Sequence, residues 1–307
     1  MSDLALRIGT RGSALALAQS GRVGDAVAAL TGCAVELVRI RTEGDVNRGP
    51  LATIGGTGVF VTAVRAALLA GEVDIVVHSF KDLPTAPAEG IALAAVPLRE
   101  DPADALCARD GLTLDALPRG ASVGTGSPRR AAQLRARRPD LTVHSIRGNV
   151  DTRLGLAHNG TVDAVVLASA GLARLGRSDA ITERFGADVM LPAPAQGALA
   201  VEGRLGETAW YIDALHRIDD VAGRAAAVAE RGVLAGLEAG CSAPVAALGT
   251  VSEGILNLRA RVVAVDGSAQ LDATATGRLG GDVEAADLGR RLAAELLGLG
   301  AAGILGP

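Results

Sequence analysis

Residues 121–153 read ASVGTGSPRRAAQLRARRPDLTVHSIRGNVDTR, and this stretch decides the fold. "ASVGTG" and "LTVHSIRG" are short apolar runs of strand type, and "SPRRAAQLRARRP" between them has helical character. Ser127 and Asn149 are good N-cap residues. Pro128 falls on a first helical position, where its missing N–H costs nothing. The pattern is strand, helix, strand, and then a second helix opening at "VDTRLGLAHNG".

The same alternation extends both ways. "LALRIGT", "AVELVRIRT", "VDIVVHSF", "IALAAVPL" and "DAVVLAS" read as strands, and "SALALAQSGRVGDAVAAL" and "GVFVTAVRAALLAGE" as helices. Alternating β and α segments imply an α/β fold, a parallel sheet covered by helices on both faces. "LREDPADALCARDG" reads as a crossover into a second α/β unit, and "LPAPAQGALAVEG" as the crossing back. Two crossings predict two lobes with a cleft between them, the first lobe built from discontinuous chain. Beyond residue 216 a helix, a meander of strands and a closing helix predict a smaller α+β domain. The expected domains are 1–98 with 197–215, 99–196, and 216–307.

Bulk composition narrows the function. The 307 residues carry 2% aromatics and a formal net charge of -4. Stacking platforms for single-stranded nucleic acid and a global basic character are therefore both missing, and no nucleic-acid partner is expected. "MSDLALRIGTRGS" lacks the basic start and long apolar run of a signal peptide, and no run reaches the roughly 18 apolar residues of a membrane helix. Cys33, Cys107 and Cys241 are an odd set without metal-like spacing. No metal, no membrane and a reducing, cytoplasmic setting are the expectations. Cys33 and Cys107 sit in apolar contexts and read as buried packing.

Positive charge is distributed unevenly. The chain has 29 arginines and one lysine, Lys81, which lies next to Asp82 directly after an apolar strand. Between Arg119 and Arg153 there are eight arginines and two acids. Four strand-to-helix junctions share one chemistry. They carry Arg11 and Ser13; Thr125, Ser127, Arg129 and Arg130; Arg147, Asn149 and Arg153; and Ser169 and Arg174. Helix starts offer free N–H groups and the positive end of a dipole. Arginines beside them bind carboxylate or phosphate through a bidentate fork. An extended polyanionic ligand is expected. Arg135, Arg137 and Arg138 read instead as the solvated face of a helix.

Six motifs, "RIGTRGSALALAQS", "VVHSFKDLP", "GTGSPRRAAQL", "IRGNVDTRL", "LPAPAQGALAVE" and "AERGVLAGLEAGCSAP", occur in the order found in the porphobilinogen deaminase (hydroxymethylbilane synthase) family. The sequence resembles that family over nearly its whole length. The resemblance implies two lobes like those of periplasmic binding proteins plus a third domain. It implies a transferase of tetrapyrrole (porphyrin, haem) biosynthesis that joins four porphobilinogen molecules head to tail, releasing ammonia each time. The chain grows on a dipyrromethane cofactor, a primer attached through Cys241, and water then releases hydroxymethylbilane. By the same resemblance Asp82 is the catalytic carboxylate, aided by Lys81. Arg11, Ser13, Lys81, Thr125, Ser127, Arg129, Arg130, Arg147, Asn149 and Arg153 hold carboxylates of primer and substrate, joined by Ser79, Arg174 and Gln196. A monomer that passes its product to the next enzyme of the pathway is implied too. Phe80, Thr57, Glu43, Ala239 and Ser242 depart from the family pattern.

The chemistry agrees with these residue types. Porphobilinogen is a pyrrole with two carboxylates, and loss of its ammonia leaves a cationic azafulvene. A carboxylate beside the ring stabilises that cation and later accepts a proton. The Lys81 ammonium favours the ionised form of Asp82. His78, His144, His158 and His216 show no ligand spacing and read as structural. A two-lobed binding or sensing module for a small dicarboxylate would show similar lobes and arginines, but it would use neither Cys241 nor the third domain.

Overall fold

The computed structural model describes residues 5–40, 58–240 and 243–306. Glu43, Thr57, Cys241 and Ser242 lie outside the described residues. The chain divides into two compact units, Met1–Arg99 with Ala198–Arg224, and Glu100–Gly197 with Ala225–Pro307.

The first unit is built on a five-stranded sheet of β1 (Ala5–Thr10), β2 (Ala34–Arg39), β3 (Ile75–Ser79), β4 (Ile91–Ala95) and β10 (Leu199–Arg204), in the order β2-β1-β3-β10-β4. β1 runs parallel to β2 and β3, while β10 is antiparallel to β3 and β4. Side chains alternate across a strand, so β3 feeds two cores. Ile75 and Val77 pack with Leu6, Ile8, Val23 and Leu215 on one face, and Val76 packs with Val64, Leu68 and Val73 on the other. Helices Ala14–Thr31 and Gly58–Leu69 are the crossovers of this unit.

The second unit repeats the plan. β5 (Asp104–Ala108), β6 (Ser122–Thr125), β7 (Thr142–Ser145), β8 (Ala164–Ala168) and β9 (Glu183–Arg184) form a sheet of order β7-β6-β8-β5-β9. Again three strands are parallel and the fourth position is antiparallel to its neighbours. Ala105 and Cys107 face one core and Leu106 the other. The same unit holds an antiparallel sheet of β11 (Val245–Ser252), β12 (Ile255–Val263) and β13 (Gln270–Arg278), covered by helices Val221–Gly236 and Asp282–Gly298 around its own core.

The expected strands and helices are present, with four differences. Neither α/β sheet is wholly parallel as expected, because β10 and β5 each run antiparallel to their neighbours. Both segments read as crossings contain strands, β5 and β10. Each is a short apolar run buried in the sheet, hidden in the sequence by flanking prolines, acids and glycines. The boundary expected after residue 215 falls inside the helix Ile212–Ile218, because Ala214 and Leu215 are part of the first unit's core. Arg138, expected on a solvated face, is a helix C-cap. Its guanidinium donates to the carbonyls of Leu114 (2.6 Å) and Leu117 (3.0 Å) and to Asp140 (2.8 Å). Arg135 likewise donates to the Val265 carbonyl at 2.8 Å.

Candidate active site

In an open α/β sheet, ligands bind beyond the carboxyl ends of the strands where the strand order reverses. Here that point lies between β1 and β3 in one unit and between β6 and β8 in the other. Arg11 and Ser13 follow β1, Lys81 and Asp82 follow β3, Ser127, Arg129 and Arg130 follow β6, Arg147, Asn149 and Arg153 follow the neighbouring β7, Arg174 lies in the helix after β8, and Gln196 precedes β10.

In the first unit β1 ends at Thr10, and Arg11 and Gly12 lead to Ser13, the N-cap of helix Ala14–Thr31. The Ser13 hydroxyl accepts from the Ala16 N–H at 3.2 Å. Beside it, β3 ends at Ser79. The Ser79 hydroxyl accepts from Nε2 of buried Gln19 at 2.8 Å, which ties the two loops together. A single 3-10 turn, Phe80–Asp82, follows. Phe80 and Leu83 are buried on either side of Lys81 and Asp82, and the Phe80 N–H donates to the Ala198 carbonyl at 3.0 Å. The turn is therefore pinned at both ends, while the Asp82 carboxylate stays exposed. Phe80, which departs from the family pattern, serves as one of these two pins.

In the second unit β6 ends at buried Thr125, whose hydroxyl accepts from the Ser127 N–H at 3.2 Å. Ser127 caps helix Pro128–Arg137, with Pro128 at its start as expected. Arg129 and Arg130 point inward, onto Asp104 at the start of β5, which has no exposed surface. Arg129 Nη1 donates to Asp104 Oδ2 at 2.6 Å and to the Leu191 carbonyl at 2.7 Å. Arg130 Nε donates to Asp104 Oδ1 at 2.8 Å, and its Nη1 to the Val166 carbonyl at 3.1 Å. Gln196 Nε2 donates to the same Oδ1 and to the Pro102 carbonyl, both at 2.8 Å. Burial favours the neutral acid at Asp104, but the charges of Arg129 and Arg130 outweigh it and hold the carboxyl well below its ordinary range. Two guanidiniums share one carboxylate, so the cluster retains a net positive charge.

Arg153 adds to that excess. It lies in helix Val150–His158, capped by Asn149, whose Oδ1 accepts from the Thr152 N–H at 2.8 Å. Its guanidinium comes over the loop after β6. A Cβ at Gly126 would stand 2.7 Å from the Ile146 carbonyl oxygen and 3.7 Å from Arg153 Nη2. Its Nε is buried without a hydrogen-bond partner among the described residues. Burial, and then the nearby Arg130, push its pKa down. Arg147 lies exposed on the loop between β7 and helix Val150–His158.

The segment Pro192–Gly197 closes this neighbourhood. Ala195 adopts φ +60° and Gly197 φ +86°. The first costs an L-residue roughly 1–2 kcal/mol. A Cβ on Gly197 would come within 2.3 Å of the Glu100 carbonyl oxygen. Arg174 Nη2 donates to the Gly197 carbonyl at 2.6 Å.

Sequence reasoning missed Asp104 and Glu230, although an acid opening the apolar run "DALCA" and one inside an alanine-rich helix were the available signals. Cys107 is buried as expected, and burial pushes its thiol up to about 12; Cys33 is only partly covered. Among the described residues no group of three or more His, Cys, Asp or Glu is placed to hold a metal ion.

Two family models match the chain. "Porphobilinogen deaminase, dipyromethane cofactor binding domain" covers residues 6–211, and "Porphobilinogen deaminase, C-terminal domain" covers 225–298. A Porphobilinogen deaminase of Leifsonia xyli is 56% identical, covering 97% of this chain and 93% of that protein. Porphobilinogen deaminase 1 of Streptomyces coelicolor is 55% identical, covering 100% of this chain and 99% of that protein.

Proposed function

Because this chain belongs to the porphobilinogen deaminase family, we propose a division of labour among its site residues. The chain is a transferase of tetrapyrrole biosynthesis, a hydroxymethylbilane synthase that polymerises porphobilinogen on a dipyrromethane cofactor. The observation that carries our assignment is the cation surplus around Asp104, with the Arg153 guanidinium, whose buried Nε has no hydrogen-bond partner among the described residues, above Gly126. That surplus fits a ligand rich in carboxylates, as the dipyrromethane and its substrate both are.

When bound, the dipyrromethane supplies the ring on which the pyrrole chain is extended. Cys241 anchors it by a thioether. Thr125, Ser127, Arg130, Asn149, Ser13 and Lys81 hold its acidic side chains. Arg129, spent on Asp104 and the Leu191 carbonyl, orients Arg130 from below. Arg11, Ser79, Arg147, Arg153 and Arg174 receive the carboxylates of incoming porphobilinogen, and buried Gln196, whose amide donates to Asp104 and to the Pro102 carbonyl, supports Arg130 instead of meeting substrate. Hydrogen bonds to charged groups contribute about 1.5–3 kcal/mol each, so a few per ring suffice to orient it.

Asp82 is the catalytic residue. Its carboxylate accepts the pyrrole N–H and offsets the positive charge that develops as ammonia leaves the substrate. It then takes up the proton released when the new carbon–carbon bond is complete. The pinned 3-10 turn holds that carboxylate in place before reaction, so little reorganisation is needed. Lys81, beside it in the same turn, binds an acidic side chain.

We also propose that the chain works as three parts, the two α/β lobes and the α+β part from 225 onward. We infer a cytoplasmic monomer that hands its product to the next enzyme of the pathway. Among the described residues, no helix is long and apolar enough to cross a membrane.

The test is the intact mass of the purified protein. Two linked pyrrole units above the sequence mass, mapped by peptide analysis to Cys241 and missing from Cys241→Ser, are expected. An active protein carrying no such adduct refutes the assignment.

A further inference from the structure

Glu230 lies inside helix Val221–Gly236, has no exposed surface, and takes no part in the division of labour above. Its carboxylate joins two backbone N–H groups from different parts of the second unit. Oε2 accepts from Ala195 at 2.5 Å, and Oε1 accepts from Gly249 of β11 at 2.7 Å.

Ala195 is one of only four non-glycine residues with positive φ among the described residues, and it is completely buried. Nothing in an alanine side chain favours this backbone, so the surroundings must impose it. The amide that Glu230 holds belongs to that strained residue. The next residue is Gln196, whose side chain reaches Asp104 and Pro102. The one after it is Gly197, whose carbonyl takes Arg174. The Pro192 carbonyl accepts from Ala247 of β11 at 3.1 Å, so β11 steadies the other end of the segment.

We infer that Glu230 is a positioning residue: it clamps Ala195 in the left-handed conformation and so sets Gln196 against the Asp104–Arg130 pair that orders the carboxylate site. The inference rests on the assignment of that site under the proposed function. A relaxed Ala195 turns the peptide plane between 195 and 196, withdraws Gln196 from Asp104 and shifts the carbonyl that holds Arg174.

Glu230→Gln is the informative substitution. It keeps the volume and one acceptor oxygen, but its NH2 opposes one of the two N–H donors. Ala195→Gly supplies the matching rescue, because glycine adopts φ +60° without help. Three measurements apply to each variant and to the double variant: hydrogen exchange of the peptide spanning 190–198, primer occupancy by intact mass, and kcat and KM with porphobilinogen. Misplacement by about 1 Å costs up to roughly 100-fold in rate. Glu230→Gln is expected to speed exchange in 190–198 at least tenfold, and to lower primer occupancy or kcat/KM by about tenfold. The double variant should regain most of that loss, although its clamp is still absent.

Unchanged exchange in 190–198 in Glu230→Gln overturns the clamp. So does a loss of loading that Ala195→Gly leaves untouched, which marks Glu230 as a plain fold-stabilising residue. If Glu230→Gln is recovered only unfolded, Ala195→Gly is introduced first and the same comparison is made in that background; failure of the double variant to fold overturns the inference. Unmodified but active parent protein instead refutes the primer assignment, and the exchange measurement still decides the clamp.

Discussion

Asp104→Asn removes one charge from a buried cluster while nearly preserving its shape. The wild-type carboxylate receives Arg129 on Oδ2 and Arg130 and Gln196 on Oδ1. An amide whose oxygen keeps the Oδ1 contacts must turn its NH2 towards Arg129 Nη1, where the 2.6 Å contact becomes donor against donor. Arg129 is then a buried cation with a carbonyl for company and a second guanidinium nearby. Removing one partner of a buried ion pair costs about 3–5 kcal/mol. Each 1.4 kcal/mol is tenfold in an equilibrium constant, so opening of β5 should become at least about 100-fold more frequent. The chain's single tryptophan, Trp210, lies in the other unit, so its fluorescence reports on the wrong place. Hydrogen exchange by mass spectrometry on peptides covering 102–108 and 128–137 is the suitable assay, with peptides of β1 and β3 as internal controls. The sign with pH follows from the direction of the shift. The folded-state pKa of Asp104 lies below its unfolded value, so its contribution is present above about pH 4 and is lost as the pH falls below that. The wild type should lose protection of β5 on acidification, and the variant should have little left to lose. A second check is Arg129→Met, which should cost less in the Asp104→Asn background than alone. Exchange in β5 of Asp104→Asn within fivefold of wild type at neutral pH refutes the reasoning.

Asp82→Asn should fold and carry the primer, yet lose roughly 10²–10³ in kcat with little change in KM, because the charge matters only along the reaction path. Steady-state kinetics on primer-loaded protein checks this, and a near-normal kcat with a raised KM makes Asp82 a binding residue only. Arg153→Gln should leave melting temperature unchanged or raised, since it removes a desolvated charge that lies near Arg130 and whose Nε has no partner among the described residues, while porphobilinogen binding weakens. A thermal melt and a KM measurement together decide it, and a loss of both would point to a hidden structural role. Glu202 contacts Arg65 at 2.6 Å and lies 3.4 Å from His78 Nε2. Burial works against its ionisation, but these partners bring its pKa down to about 2. Its contribution, about 3 kcal/mol from the span between its ordinary value and that one, should vanish as the pH falls from about 4.5 to 2. Acid unfolding followed by Trp210 fluorescence, compared with Glu202→Gln, measures the difference.

Much of this protein was legible without coordinates, because the signals are local. Alternating apolar runs with Ser127, Asn149 and Ser13 at helix starts specify elements whose side chains and caps are satisfied within a few residues. All three caps stand where they were expected. The clustering of basic and capping residues at four junctions was legible too, since parallel strands bring their junctions to one edge. The sequence also carried enough family-specific motifs to name the reaction. Tertiary structure alone decided what each arginine is for. Arg129 and Arg130 look like Arg153 in the sequence, yet the first two pair with Asp104, whereas Arg153 has a buried Nε without a hydrogen-bond partner among the described residues. The partner that distinguishes them sits 25 or more positions away on β5, a strand concealed by its flanks. Arg138 was likewise indistinguishable from a solvated neighbour until the carbonyls of Leu114 and Leu117 came within reach. Glu230 is the extreme case: a charge in an alanine-rich helix gives no hint that its oxygens meet amides 35 and 19 residues away. Helix caps and strand periodicity are decided over a few residues, whereas the charge state and job of a buried side chain depend on which distant groups the fold brings within about 3 Å.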